Sequence, residues 1–183
     1  MKKLFYVRHG ETQMNVNEKF SGQIETQLTE LGKKQAQKAG ENAKVNLPKI
    51  DYMIVSPLKR TRHTAKLIAE EIGFSFDAVE LNDLFIERSF GNLEGSDAKP
   101  YIAKADKHMK LDHIESVETI KELEQRAKKA YEYVLSLEDY DNILIVGHGT
   151  FGRALRRVID KRPHTDEFNV FKPIKNAEII ELI

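Results

Sequence analysis

Short, continuous apolar runs punctuate the chain at Leu4–Val7, Tyr52–Val55, Ile143–Val146 and Ile179–Ile183, with a weaker one near Ala78–Leu81. Apolarity without alternation predicts strands buried on both faces, as in a parallel sheet covered by helices. Between these runs the period lengthens. Leu58, Thr61, Ala65, Ile68 and Ile72 step by three and four residues, forming one helix face that Gly73 brings to a stop. Val117, Ile120, Leu123, Ala127, Ala130, Val134 and Leu137 form a longer face. Leu31, Gln35, Ala39 and Val45 predict a looser helix with Thr29 as its N-cap. Strands alternating with helices predict an α/β fold, a three-layer α/β/α sandwich with a mostly parallel central sheet. No repeat, low-complexity tract or linker divides the sequence, so residues 1–183 read as a single domain.

Two segments fit this rhythm less well. Glu11–Leu28 is polar, carries Ser21-Gly22 and reads as a loop. Gly95–Glu115 contains Pro100 and the lysines 99, 104, 107 and 110, with Tyr101, Ile102, Ala105 and Met109 at helical spacing. That segment reads equally as a surface helix packed on the core or as a lid over a site.

Composition narrows the picture by exclusion. Lys plus Arg and Asp plus Glu are 29 each, so the formal net charge is zero and gives no support to a nucleic-acid or anionic-membrane partner. The absence of cysteine excludes disulfides, thiolate chemistry and Cys-ligated zinc. Met1-Lys2-Lys3 followed by Leu4–Val7 is too short an apolar stretch for a signal peptide, and no run approaches membrane-spanning length. The expectation is a cytoplasmic globular protein. Nothing in the sequence reads its oligomeric state.

The chemistry gathers at strand ends. Ligands of open parallel sheets bind beyond the carboxyl ends of the strands. One strand runs into Arg8-His9-Gly10-Glu11-Thr12, a second into Ser56-Pro57-Leu58-Lys59-Arg60-Thr61, and a third into Gly147-His148-Gly149-Thr150. If those strands are neighbours, two histidines and two arginines share one rim. Arginine forks suit phosphate and would repel a metal cation, so the cluster reads as an anion site. Pro57 fits the first position of a helix, placing Arg60 in its first turn. Gly149 and Thr150 open another helix whose free N–H groups would face the rim. Gly147-His148-Gly149-Thr150-Phe151-Gly152 also matches the dinucleotide-binding glycine pattern formally, with Asp166 and Glu167 downstream. Those acids follow a turn-like Lys161–Thr165 rather than a second strand, so nicotinamide-dinucleotide binding is set aside.

Four spaced signatures make the sequence similar to the histidine phosphatase superfamily, in its phosphoglycerate mutase-like branch. They are Phe5-Tyr6-Val7-Arg8-His9-Gly10-Glu11-Thr12 with Asn15, Ser56-Pro57-Leu58-Lys59-Arg60-Thr61 with Thr64-Ala65, Leu84-Phe85-Ile86-Glu87-Arg88-Ser89-Phe90-Gly91 with Glu94-Gly95, and Val146-Gly147-His148-Gly149. Gly22 to Ala36 resembles the family's intervening loop and helix. The resemblance implies that His9 is the residue phosphorylated. Arg8, Arg60 and His148 would hold the phosphoryl oxygens, with Asn15 and Gly149 assisting, and Glu87 would protonate the leaving group. It implies no metal and no bound cofactor. Taken on its own sequence, Glu87 reads as one half of a surface salt bridge to Arg88. Gln23, Glu25 and Gln27 depart from the family pattern on the substrate side. His63, His108, His113 and His164 match no signature and read as solvated, with His108 and His113 open to a lid role.

The expected activity is hydrolysis of small phosphomonoesters through a phosphohistidine. The mutases of this superfamily are longer, with extra helices that close the site against water, whereas only Gly95–Glu115 could close it here. A phosphoglycerate mutase is the alternative. A non-catalytic phospho-ligand binder is more remote, because His9 and Glu87 are both present. The expected partner is a small phosphorylated metabolite.

Overall fold

The computed structural model describes residues 2–102, 111–162 and 172–183. Five strands form one sheet: β1 (Lys3–Arg8), β2 (Tyr52–Val55), β3 (Glu80–Leu81), β4 (Asn142–Gly147) and β5 (Ile179–Glu181), in the order β3-β2-β4-β1-β5. All neighbours run parallel except β5, which lies antiparallel along β1 at an edge. The expected, mostly parallel sheet is therefore present, and the weak run near Ala78–Leu81 forms its short opposite edge.

Alternate residues of the continuous apolar runs enter two separate cores. Leu4, Tyr6, Ile54, Ile143 and Ile145 pack on one side, with Leu123, Ala127 and Val134 of α5 (Ile120–Ser136) and Phe151 and Leu155 of α6 (Gly149–Ile159). Phe5, Val7, Met53, Val55, Leu144 and Val146 pack on the other, with Ala39 of α2 (Glu30–Asn46) and Ala65, Ile68 and Ala69 of α3 (Lys59–Ile72). Burial on both faces is what the lack of alternation predicted.

The local sequence sets the helix ends. Thr29 caps α2 by accepting the Gly32 N–H, as expected. Thr119 opens α5 with a full capping box, its side chain accepting the Glu122 N–H while Glu122 reaches back to the Thr119 N–H. Val117 and Leu137 thus flank that helix rather than lie within it.

Three expectations need correction. The inward face of α2 is Gly32, Ala36, Ala39, Gly40 and Ala43, whereas Leu31 and Val45 are 53% and 81% exposed. Small residues win because α2 packs closely on α3: a Cβ at Gly40 would lie 2.7 Å from the Glu71 side chain. Pro57 precedes the α3 N-cap, Leu58, so it is not the first helical residue, although Arg60 still lies in the first turn. The segment Glu11–Leu28 is not wholly loop, because Thr12 caps the short helix α1 (Gln13–Val16).

The segment 95–115 is anchored at both described ends. The short helix α4 (Lys99–Ile102) follows Ala98, and Ala98 and Leu111 are buried against Phe20, Phe90 and Val117 in a third apolar cluster. Ala105, Met109, His108 and the lysines 104, 107 and 110 lie outside the described residues, as do His164, Asp166 and Glu167. His113 is exposed and His63 half-buried.

Candidate active site

Sheet order brings the three polar strand ends together. β4 lies between β1 and β2, with Arg8 level with Gly147, and Val7 and Val55 both level with Val146. The ladder continues one step past the strands, where the His9 N–H donates to Gly147 O at 3.0 Å and the Ser56 N–H to Val146 O at 3.1 Å. Arg8, His9, Ser56 and His148 therefore meet at one rim, as the strand ends implied. The turn after His9 is held by a close backbone crossing. A Cβ at Gly10 would sit 2.3 Å from Gly32 O, and one at Gly32 would sit 2.1 Å from Glu11 O. Only glycine at both positions lets the start of α2 meet this turn.

His9 is 3% exposed, and its Nδ1 lies 2.7 Å from Gly10 O. A carbonyl can only accept, so Nδ1 carries the proton and Nε2 keeps its lone pair when the ring is neutral. Burial, with the nearby charges of Arg60 and Arg8, holds this imidazole well below the usual histidine range, so the neutral ring is favoured. The His148 ring lies 5.4 Å away, centroid to centroid. Burial and the same arginines push it down as well. Its Nε2 lies 2.7 Å from Ser56 Oγ, while its buried Nδ1 has no partner among the described residues. With the Ser56 hydroxyl donating to Nε2, Nδ1–H becomes the free donor. Two neutral histidines thus present opposite faces: a lone pair from His9 and an N–H from His148.

The arginines are held from behind. Arg60 is fully buried and donates to Ile24 O at 2.8 Å and Gly22 O at 2.6 Å. Arg8 donates to Ile174 O at 3.0 Å. The Nε atoms of both are buried with no partner among the described residues. Burial lowers the Arg60 guanidinium to about 10, countered in part by the charge of Glu87. Buried donors without acceptors are costly to maintain and mark a place where an anion would satisfy them.

Glu87 is not at the surface, being 8% exposed. Its Oε1 accepts the N–H groups of Arg88 at 2.9 Å and Phe151 at 2.8 Å, and its Oε2 accepts that of Thr150 at 3.1 Å. Two free N–H groups at the start of α6 therefore serve this carboxylate rather than the open rim, which corrects the expectation for that helix end. Oε2 takes a single N–H and keeps a lone pair able to hold a proton. The Arg88 guanidinium turns instead to Asp112, 2.6 Å away, and to Glu118 O. Asn15 spends its Oδ1 on Thr12 and Asn176, leaving only its amide N–H groups to meet a ligand. Gly149 borders Arg8, where an added Cβ would lie 3.3 Å from Nε.

Several supporting residues were given no role by the sequence. Tyr6 is fully buried, and its hydroxyl donates to His148 O at 2.7 Å while accepting the His148 N–H at 2.6 Å. Its ring and hydroxyl fill the space left by Gly147 and Gly152, which explains why the glycine pattern mimics a dinucleotide loop. Asn176 donates to His9 O at 3.0 Å. Arg153 lies within electrostatic reach of Glu87 and Arg8, and burial lowers it to about 10.

The family model described as the histidine phosphatase superfamily (branch 1) matches residues 4–182. A protein of Erwinia tasmaniensis named "Probable phosphoglycerate mutase GpmB" is 34% identical over 156 residues, which span 81% of this chain and 70% of that one. The "Uncharacterized phosphatase PhoE" of Bacillus subtilis is 33% identical over 149 residues, spanning 81% of this chain and 72% of that one. Among solved structures, the alpha-ribazole phosphatase from Shigella flexneri superposes with a TM-score of 0.78 at 25% identity, covering 98% of this chain and 89% of that one.

Proposed function

The chain belongs to the histidine phosphatase superfamily, and on that premise we propose that it hydrolyses small phosphomonoesters through a phosphohistidine at His9. One observation carries the reading. Three buried atoms without partners among the described residues, Arg8 Nε, Arg60 Nε and His148 Nδ1, accompany an imidazole whose Nδ1 is committed to Gly10 O and whose Nε2 is left to attack. Those donors take the equatorial oxygens of the phosphoryl group while Nε2 attacks phosphorus, and charge moves onto oxygens already facing cations. The Asn15 amide and the backbone at Gly149 complete the cradle.

Glu87 gives its proton to the departing alkoxide. The resulting carboxylate remains held by the N–H groups of Thr150, Phe151 and Arg88. It is then placed to accept a proton from the water that cleaves the phosphoramidate, which returns His9 and releases phosphate. The protein's own donors supply the charge stabilisation, so the reaction proceeds without a metal ion. Residues 1–183 act as one domain, and 95–115 is the segment proposed as a lid or specificity element, its described ends packed on Phe20, Phe90 and Val117. Hydrolysis is preferred over mutase chemistry because a relative and a solved structure that the chain resembles are named as phosphatases. A relative named as a phosphoglycerate mutase favours the second reading.

The test uses leaving-group dependence. Glu87→Gln keeps the size of the side chain and removes the proton. Single-turnover phosphorylation of His9 by an alkyl phosphate falls roughly a hundredfold or more, the usual range for general acid catalysis. p-Nitrophenyl phosphate, whose leaving group departs as a stable anion, is nearly unaffected. Equal losses on both substrates contradict the assignment.

A further inference from the structure

Glu87 lies in an irregular stretch between a turn at Asp83–Phe85 and another at Gly91–Leu93. Its carboxylate is fixed by α6, but its backbone has no strand or helix ladder of its own. Three carbonyls of that backbone accept from one side chain in the middle of α5, the last of them, Glu87 O, also accepting Gln23 Nε2 at 3.1 Å. Arg126 donates from Nη1 to Leu84 O at 3.0 Å and Ile86 O at 2.7 Å, and from Nη2 to Glu87 O at 3.4 Å. The opposite edge of the same fork grips Glu118, Nε to Oε1 at 2.9 Å and Nη2 to Oε2 at 2.8 Å.

Glu118 in turn holds the far side of the acid. Its Oε2 accepts the Ser89 N–H at 3.1 Å, its N–H donates to Ser89 O at 3.0 Å, and its carbonyl accepts Arg88 Nε at 2.7 Å. The Arg126 guanidinium also lies 5.1 Å from the centroid of the Phe151 ring, whose own N–H binds the Glu87 carboxylate. Backbone on both sides of residue 87 and the helix end that receives its carboxylate are thus tied to one ion pair. The pair is mostly buried, with the Arg126 and Glu118 side chains 18% and 16% exposed. Only a planar fork with five N–H groups can serve a bidentate carboxylate and three carbonyls at once; a lysine cannot.

We propose that Arg126, braced by Glu118, is a positioning residue that sets where the Glu87 proton is delivered. This rests on the reading of Glu87 as the acid. A group held about 1 Å out of place can lose on the order of a hundredfold in rate. Among the described residues Arg126 makes no hydrogen bond to the nucleophile or the phosphate donors, and its charge is the smallest of the influences on His148, so its loss acts mainly on the proton transfer.

The test compares Arg126→Met, which keeps the stem over Phe151, with Glu87→Gln and with the double variant, on an alkyl phosphate and on p-nitrophenyl phosphate. Arg126→Met lowers burst phosphorylation by the alkyl phosphate on the order of tenfold and leaves p-nitrophenyl phosphate near the parent rate. In the Glu87→Gln background it adds no further loss on the alkyl phosphate. Arg126→Lys recovers part of the rate. Should Arg126→Met fail to fold, Glu118→Gln, which leaves the arginine in place, shows the same preference for the alkyl substrate at smaller size. Equal losses on both substrates, or a full further loss in the Glu87→Gln background, overturn the proposal while leaving Glu87 as the acid. If Glu87→Gln itself fails to discriminate between the substrates, the acid assignment falls first and this proposal with it.

Discussion

Removing the hydroxyl of Tyr6 isolates the device that holds His148. In the parent, that oxygen donates to His148 O and accepts the His148 N–H, at 2.7 and 2.6 Å. Tyr6→Phe breaks both bonds, with unequal consequences. His148 O retains the Gly152 N–H at 3.2 Å. The His148 N–H is left inside a fully buried residue. A buried donor without an acceptor costs about 1–3 kcal/mol, and each lost hydrogen bond is worth about 1 kcal/mol net. The space vacated by one oxygen is too small for a water to replace it. Burying phenylalanine in place of a phenol offsets part of the loss, because no hydroxyl has to be taken out of water. The balance is a destabilisation of about 2 kcal/mol, read as a shift in the urea midpoint at unchanged slope. Because His148 is displaced with its backbone, affinity for vanadate weakens as well. A variant within about 0.5 kcal/mol of the parent, the scatter of ordinary surface changes, with unchanged vanadate binding, would refute this account of His148.

Two further outcomes follow from the same geometry. His9 and His148 both lie well below the usual histidine range in the folded chain, while in the unfolded chain they titrate near ~6.5. Below that value the unfolded state binds more protons, so stability is fully present above about pH 6.5 and falls as pH drops toward the folded values, by up to about 1.4 kcal/mol per pH unit for each ring. Urea midpoints in phosphate-free buffer between about pH 7 and 5 check this: His148→Asn flattens the slope, and an unchanged slope contradicts it. Activity persists in excess EDTA and is inhibited competitively by vanadate; loss in EDTA that zinc, magnesium or manganese restores would contradict the metal-free mechanism.

The residues at the strand ends were legible because a parallel sheet makes its carboxyl ends neighbours. Arg8, His9, Arg60 and His148 needed only the order of elements to be brought together, and the sheet order β2-β4-β1 does so. Glu87 was legible only through resemblance, because its segment has no periodicity. Its burial comes from the start of α6, more than sixty residues away in sequence. Tyr6 read simply as an apolar strand residue, since nothing local marks a hydroxyl that crosses to the neighbouring strand. The apolar spacing of α5 carries no mark for Arg126, which lies between Leu123 and Ala127 without belonging to that face. The inward face of α2 was misjudged because the reading favoured large apolar side chains, whereas close packing on α3 selected glycine and alanine. Asn176 and Ile174 reach the site from beyond residues 163–171, where no motif pointed.

If His9 Nε2 becomes covalently bonded to phosphorus, trapping the enzyme during turnover captures the phosphohistidine. A radiolabelled phosphomonoester is mixed with excess enzyme and quenched in alkali, which spares a phosphoramidate, and the labelled peptide is sequenced. Label is expected on His9, lost on brief acid treatment, and none in His9→Ala. Label on serine, threonine or aspartate, or undiminished label in His9→Ala, would contradict it.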